Sequence, residues 1–468
     1  MHIVNTRMQI NHQTPKYSIH FFVDLVTIWV DNLYWHLSSM LSLYIHIPFC
    51  EKKCGYCSFH VLPTEGDNKA SKLVESYVDA LCEEIRIRWE RVMLADVEGR
   101  KGELKSIYFG GGTPLQVGTT NLCRIIDTVE QYFDAENLGE LSIECNPYPQ
   151  DLVYDTIRTV QKKYKKYPRI RRSFGIQTFD TDILKESDRL YSFPAIVEFL
   201  RWLVNLKKDN TIFNFDFIAF GKFNDTKKGE RMLRDAYKRD FLVDFVSSYF
   251  ADGFSLYTLE LFPWSQWYNE QIAHHSHAKD GLPLKKYGSD DDVYAEFEFI
   301  KNLFQENGYR RYELSNFALP GKASIHNNVY RNMENYIGVG TSASSFLDFD
   351  TLPELRRHIT DDTACRAARR TNTKAITDYI KWNYVDPKKL ENMTEQDYRI
   401  EKVFLALRTQ AGVENISTYS DLFVKDREKK LSQWQKDWIV DCYEDILVLT
   451  DKGMDVYNTI ITDLFEKV

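Results

Sequence analysis

The alternation of short strand-like runs with amphipathic segments is the feature that most limits how this chain can fold. Runs rich in β-branched and aromatic residues lie at 41–47, 105–109, 141–145, 171–177, 212–220 and 253–261. Between them, segments at 69–94, 121–133, 151–164, 194–206 and 227–245 carry apolar residues at helical spacing. Strands separated by helices predict parallel pairing through right-handed crossovers, since a parallel connection needs a long return path. Such a repeat either curls into a barrel or stays an open doubly wound sheet, and periodicity alone does not choose. The chemically distinctive residues fall at the C-terminal ends of successive strands, where barrel folds build their sites. The expected fold is therefore α/β, a partial (β/α)6 barrel. One more strand is expected at 313–318, followed by a Gly-punctuated loop to about 345. Past an Arg/Thr-rich stretch at 366–374 the pattern turns to helices at 379–382, 395–409 and 431–441, ending in a short run at 446–450. This places a boundary near 370, between a core at 40–370 and a mostly helical C-terminal domain at 371–468.

Composition narrows the class. The 468 residues carry 60 Lys and Arg against 68 Asp and Glu, a net charge of −8, with 43% hydrophobic residues. Such a chain can bury a large core, which excludes a disordered tail protein. Its acidic balance argues against phosphate-backbone binding, so nucleic acid is not an expected partner. The apolar stretch at 20–34 is interrupted by Asp24 and Asp31 and falls short of the ~20 residues of a membrane span. Neither a signal peptide nor a transmembrane helix is expected, which leaves room for transient contact with a membrane protein. Eight cysteines are too few for a disulfide scaffold, and only Cys50, Cys54 and Cys57 cluster. A reducing cytoplasm suits that usage. Cys145 reads as a buried core thiol, and His274, His275 and His277 as part of a solvated polar loop.

Cys50-Glu-Lys-Lys-Cys54-Gly-Tyr-Cys57 follows the first predicted strand directly. A structural zinc site wants four ligands, usually two spaced pairs, and no second pair or His-x₃₋₅-His lies downstream. A cubane iron–sulfur cluster has four irons, so three cysteines leave one iron open to an outside ligand. Ordinary buried thiols or an incomplete zinc knuckle are the plainer alternatives.

The pattern Cys-x₃-Cys-x-aromatic-Cys after a strand resembles the radical S-adenosylmethionine (SAM) proteins, and Tyr-Ile-His-Ile-Pro-Phe-Cys at 44–50 narrows the resemblance to the coproporphyrinogen-oxidase-like family. It implies a radical-SAM barrel with a [4Fe-4S] cluster on Cys50, Cys54 and Cys57. SAM's methionine group would chelate the open iron, and one-electron reduction would cleave SAM. Gly110-Gly111-Gly112-Thr113-Pro114, taken alone a strand-end turn, becomes the segment that hydrogen-bonds the SAM amino group. Glu144, Gln177, Arg189 and Asp216, on or after the third to fifth strands, become further SAM contacts. Carboxylates suit ribose hydroxyls, and a guanidinium suits the methionine carboxylate. Tyr44 would close the pocket near the cluster. The chain departs from the family pattern at Asp188 and Tyr191, where Gly and His are usual, and at Phe262, where an acidic residue is expected after Tyr257.

The resemblance runs from about residue 43 to 449 and includes Tyr312-Glu313-Leu314-Ser315-Asn316-Phe317-Ala318, His326-Asn327-x-x-Tyr330 and Leu407-Arg408-Thr409-x-x-Gly412-Val413. The oxygen-independent oxidase carries a fourth cysteine where this chain has Phe59. That difference, with the His-Asn-x-x-Tyr motif, resembles the HemW branch of heme chaperones, which bind heme and hand it to acceptor proteins. In that branch the motif ends in Trp, and Arg331 stands there here. Neutral imidazole is a usual iron ligand, which makes His326 the heme-ligand candidate; a loop histidine bonded to backbone is its plain alternative. The competing activity is that of the oxidase, forming protoporphyrinogen from coproporphyrinogen, and a radical-SAM enzyme acting on a non-tetrapyrrole substrate is a third reading. Family chains begin shortly before Tyr-Ile-His-Ile-Pro, so residues 1–39 are expected to be a poorly ordered extension or a misassigned start, with Met40 as the alternative.

Overall fold

The computed structural model describes residues 41–64, 70–95, 102–222, 239–248, 250–277 and 287–465. The extension at 1–39 and the alternative start at Met40 lie outside the described residues, as does most of the helix expected at 227–245. Strand β1 (Leu41–Ile47) is followed by two-residue strands β2 (Phe49–Cys50) and β3 (Leu62–Pro63), which pair with each other. Next come β4 (Leu104–Gly111), β5 (Glu140–Cys145), β6 (Ile170–Gln177), β7 (Thr211–Ala219) and β8 (Gly253–Thr258). β1, β4, β5, β6, β7 and β8 are parallel neighbours in that order, as the alternation requires. The antiparallel pair β9 (Arg310–Glu313) and β10 (Asn316–Ala318) extends the sheet beyond β8. On the other side β11 (Tyr336–Val339) lies parallel to β1, and β12 (Ser344–Asp348), β13 (Ala367–Asn372) and β14 (Val385–Met393) continue it antiparallel. The fold is the α/β partial (β/α)6 barrel with added strands at both edges.

The boundary expected near 370 falls inside β13, and β14 lies in the stretch expected to be mostly helical. The β13–β14 hairpin carries Arg369 opposite Glu391, joined by a 3.3 Å ion pair. Charged edge strands lack the apolar alternation that marks a half-buried strand, so the pattern does not show them. Beyond Met393 the chain is mostly helical, with helices Glu395–Leu407, Arg427–Lys436 and Tyr457–Leu464 packed with the hairpin β15 (Val440–Tyr443) and β16 (Ile446–Leu449) around a cluster that includes Val403, Leu407, Leu447 and Leu464. The backbone at 274–277 belongs to helix Gln266–His277 rather than to a loop. Among the described residues no helix is long and apolar enough to cross a membrane.

The parallel strands are buried on both faces, yet their residues alternate. Leu43, Ile45, Ile107, Phe109, Leu141, Ile143, Cys145, Phe174, Phe215 and Phe254 belong to the main apolar core. Alternate positions are polar and bond one another: Ser106 Oγ donates to Ser42 Oγ (2.9 Å), and Asn214 Nδ2 donates to both Ser173 Oγ (2.9 Å) and Ser255 Oγ (3.0 Å). A parallel strand packed between two apolar layers would be near-continuously hydrophobic. Here one face packs on apolar side chains and the other is a polar interior. That interior is closed at the N-terminal strand ends by helix Ile325–Arg331, whose first turn donates Ser324 Oγ (2.9 Å) and Ile325 N–H (3.1 Å) to the buried carboxylate of Glu140.

Glu84, fully buried on helix Ala70–Ala95, joins the barrel to its added strands. Its carboxylate accepts from Arg88 Nη2 (2.6 Å), the Gly340 N–H (2.9 Å), Asn372 Nδ2 (2.9 Å) and the Tyr379 hydroxyl (2.7 Å). Glu84→Ala would leave Arg88 as a buried unpaired charge and is expected to cost about 3–5 kcal/mol. The check is a lowered urea midpoint at unchanged slope.

Candidate functional site

The cysteine loop leaves the end of β1 and is tied down mainly by main-chain hydrogen bonds. Leu62 N–H donates to Pro48 O (2.7 Å) and Thr64 N–H to Cys50 O (2.8 Å), through the β2–β3 pair. Gly55 N–H donates to Ser187 O (3.1 Å), and Trp267 N–H donates to Gly55 O (3.0 Å). A Cβ at position 55 would sit 2.3 Å from the indole of the fully buried Trp267, so only glycine fits there. All eight cysteines are free. Burial pushes the Cys50 thiol up to about 12 and raises Cys57 as well, so ionisation calls for a compensating cation. Among the described residues no three His, Cys, Asp or Glu side chains form a group able to hold a single metal ion. In a cubane each cysteine holds a different iron, so the thiols need not converge on one point.

The glycine run at the end of β4 is stitched to this loop. Gly112 N–H donates to Ile47 O (2.8 Å), Thr113 N–H donates to Phe49 O (2.7 Å), and Thr113 Oγ1 lies 3.5 Å from Cys50 Sγ. A Cβ on Gly112 would meet Phe49 O at 2.6 Å and Cys50 Sγ at 3.1 Å. Gly111, at φ +114°, turns its N–H onto Glu144 Oε2 (3.1 Å), and the Tyr108 hydroxyl donates to Glu144 Oε1 (2.7 Å). Burial, with the charge of Asp216 adding to it, pushes the Glu144 carboxyl up to about 7. Asp216, on β7, is also raised by burial and accepts from Ser173 Oγ (3.0 Å) and Asn214 Nδ2 (2.8 Å).

Arg189 completes the set. Its Nη2 donates to the Tyr56 hydroxyl (2.7 Å) and its Nη1 to Asn146 Oδ1 (3.0 Å), while Asn146 Nδ2 donates to Thr113 Oγ1 (2.9 Å). Arg189 Nε also donates to the Tyr56 hydroxyl (3.2 Å); these partners are neutral, so the guanidinium charge stays available to an anion. Cys50, Cys54, Cys57, Gly111, Gly112, Thr113, Glu144, Gln177, Arg189 and Asp216 all line one cavity of about 890 Å³. Its donor set of thiols, carboxylates, a guanidinium and a glycine-lined approach fits an iron–sulfur cluster with a zwitterionic ligand beside it. Tyr56 entered the sequence reading only as the aromatic of the cysteine motif, and its bond to Arg189 was not anticipated. Nor were Asn146 and the Trp267 clamp, of which only Asn146 carried a sequence signal, the Asn-Pro turn dipeptide after Glu144.

Two expected residues lie elsewhere. Tyr44 is not among the lining residues; its ring stacks on Tyr108 at 6.0 Å and its hydroxyl bonds His46 Nδ1 (3.0 Å), a layer behind Glu144. His326 is fully buried in the barrel floor, with Nδ1 bonded to Ser106 Oγ (2.8 Å) and Nε2 to the Tyr330 hydroxyl (2.8 Å). Burial, and then the charge of Arg171, lowers it to about 3. Neither nitrogen faces the cavity, and this corrects the expectation of a heme ligand there.

Residues 44–235 match the model of the radical SAM superfamily. The chain is 26% identical to a heme chaperone HemW of Lactococcus lactis, over 91% of this chain and 96% of that protein. It is also 26% identical to a heme chaperone HemW of Bacillus subtilis, over 80% of this chain and 85% of that one. Residues 44–235 thus carry the radical SAM signature, and the chain as a whole is similar to the HemW proteins. The coproporphyrinogen III oxidase (HemN) structure from Escherichia coli has the same fold, with a TM-score of 0.64 at 19% identity over 93% of this chain and 92% of that one. The departures from the family pattern have structural counterparts. Asp188 adopts φ +63°, a region glycine enters freely and Asp tolerates, and its carboxylate pairs with Lys52 of the cysteine loop at 2.7 Å. The Tyr191 hydroxyl donates to Gly175 O (2.5 Å). Arg331 pairs with the buried Glu313 at 2.8 Å, and Arg408 approaches the same oxygen at 3.1 Å. Burial alone would raise the Glu313 carboxyl, but the two arginines hold it below the usual range.

Gly112→Ala is expected to displace Cys50, since the added carbon meets a backbone carbonyl that cannot swing away. The check is iron and sulfide bound per chain after anaerobic reconstitution, which should fall sharply while far-ultraviolet circular dichroism stays unchanged.

Proposed function

We propose that this protein binds heme and transfers it to an acceptor protein, carrying a [4Fe-4S] cluster on Cys50, Cys54 and Cys57 with SAM at the open iron. The observation that carries the reading is similarity along 96% of the length of a protein named heme chaperone. Phe59, at the position of the oxidase's fourth cysteine, agrees with it. The cluster, when bound, supplies an open iron site and a one-electron donor. The residues around it bind and orient. The Arg189 guanidinium, with neutral partners at Tyr56 and Asn146, takes the methionine carboxylate. Gly111, Gly112 and Thr113 give the amino group a close approach, and Glu144 faces it as a carboxylate that a neighbouring cation would keep ionised at neutral pH. Asp216 and Gln177 serve the ribose side. Tyr44 acts as a positioning residue behind Glu144. Free thiols that must remain ligands suit a reducing cytoplasm.

The test uses anaerobically reconstituted protein. Titration with hemin is expected to develop a Soret band, and added apomyoglobin is expected to take the heme. Incubation with coproporphyrinogen III, SAM and a reductant is expected to yield no protoporphyrinogen; its clear formation would replace the carrier reading with the oxidase one. His326→Ala is expected to leave hemin stoichiometry and the Soret band unchanged, because both imidazole nitrogens are already bonded inside the floor.

A further inference from the structure

We propose that heme docks at the cavity mouth, on the aromatic faces of Phe59, Phe262 and Trp264, with its carboxylates toward Lys53 and Arg408. The inference rests on the carrier reading and adds the location of its cargo. Phe59 is 64% exposed, Phe262 36% and Trp264 61%. Clustered exposed aromatics of this size mark interaction sites rather than ordinary surface. The rings are held in place. Phe262 and Trp264 stack with centroids 5.5 Å apart and planes 20° from parallel. The Trp264 indole N–H donates to Ser58 O (2.7 Å), which ties the pair to the residue next to Phe59. Ser265 N–H and Oγ bond Phe262 O at 2.8 and 2.9 Å, and Trp267 N–H holds Gly55 O. The segment 262–267 is thus fastened to the cysteine loop at two points. A platform of this kind is pre-organised and loses little rotamer freedom on binding.

The charges select the occupant. Phe59, Phe262 and the half-exposed Tyr257 line the same cavity as Lys53 and Arg408. Arg408 shares the single carboxylate of Glu313 with Arg331, so the trio has one positive charge in surplus. Flat apolar faces flanked by cations call for a planar apolar ligand with anionic groups at its edge, which describes a heme with its two propionates. The barrel floor offers no competing place, since His326 is enclosed and bonded at both nitrogens.

Hemin is titrated into the reconstituted full chain, following the Soret band and tryptophan emission together. Phe59→Ser with Phe262→Ser is expected to raise the hemin Kd about tenfold or more, with iron, sulfide and SAM binding unchanged. Trp438→Ser, at a 79% exposed tryptophan outside this cavity, is expected to change nothing. Lys53→Glu is expected to weaken hemin binding in a salt-dependent way. Wild-type affinity in the double variant would overturn this location and leave the carrier reading standing; a wild-type chain that binds no hemin would overturn the carrier reading itself. Should the double variant fail to hold the cluster, Trp264→Phe decides. It keeps a ring in place, so affinity is expected to persist while hemin-dependent quenching of tryptophan emission drops, and undiminished quenching would overturn the proposal.

Discussion

The structure depends on one constraint: every second residue of the parallel strands faces an interior that is polar, and each of those groups must find a partner away from water. The pairs satisfy one another in layers. At the floor Ser42, Ser106, His326 and Tyr330 form a chain of hydroxyl and imidazole bonds. Above it Tyr44 and Tyr108 stack, and the Tyr108 hydroxyl reaches Glu144. Glu144, Asp216 and Arg189 then face the cavity with fewer partners than they can use. The floor, which holds the buried Glu140 carboxylate and Arg171, is enclosed and bonded internally, whereas the upper layer opens on the cavity, so ligands meet the interior at one end of the barrel.

Much of this was legible in the sequence. Period-two runs separated by helical segments led to six parallel strands, because apolar residues packed under helices leave a regular trace. The cysteine spacing led to the loop, and ten of the residues singled out line one cavity. What stayed hidden has physical reasons. The charged hairpin at 367–393 pairs through its backbone and through Arg369–Glu391, which leaves no apolar alternation. His326 has the residue type of a ligand, and only its three-dimensional partners reveal it as a structural group. Trp267 lies far along the chain from Gly55, and no local pattern announces that an indole fills the space a side chain would need.

The cysteine loop gains its shape from outside itself. Its anchors come from Gly112 and Thr113 just after β4, from Ser187 and from the segment around Trp267, so three crossover regions converge on the stretch from Ile47 to Gly55. Lys52 adds an ion pair to Asp188 at a backbone angle that most side chains avoid. A loop fixed in this way presents thiols with little conformational freedom to lose when a metal group is bound.

Glu313 joins parts of the chain that the eye would otherwise treat separately. It sits at the end of β9, its two arginines come from the floor helix and from the residue capping helix Glu395–Leu407, and its other oxygen accepts from Ser315 N–H and Asn316 Nδ2. The plug under the barrel and the C-terminal segment beside the cavity are therefore mechanically one piece. Removing the chain from Arg408 onward would do more than unroof the cavity: it would leave Arg331 as the sole guanidinium on a buried carboxylate and loosen the floor from the far side.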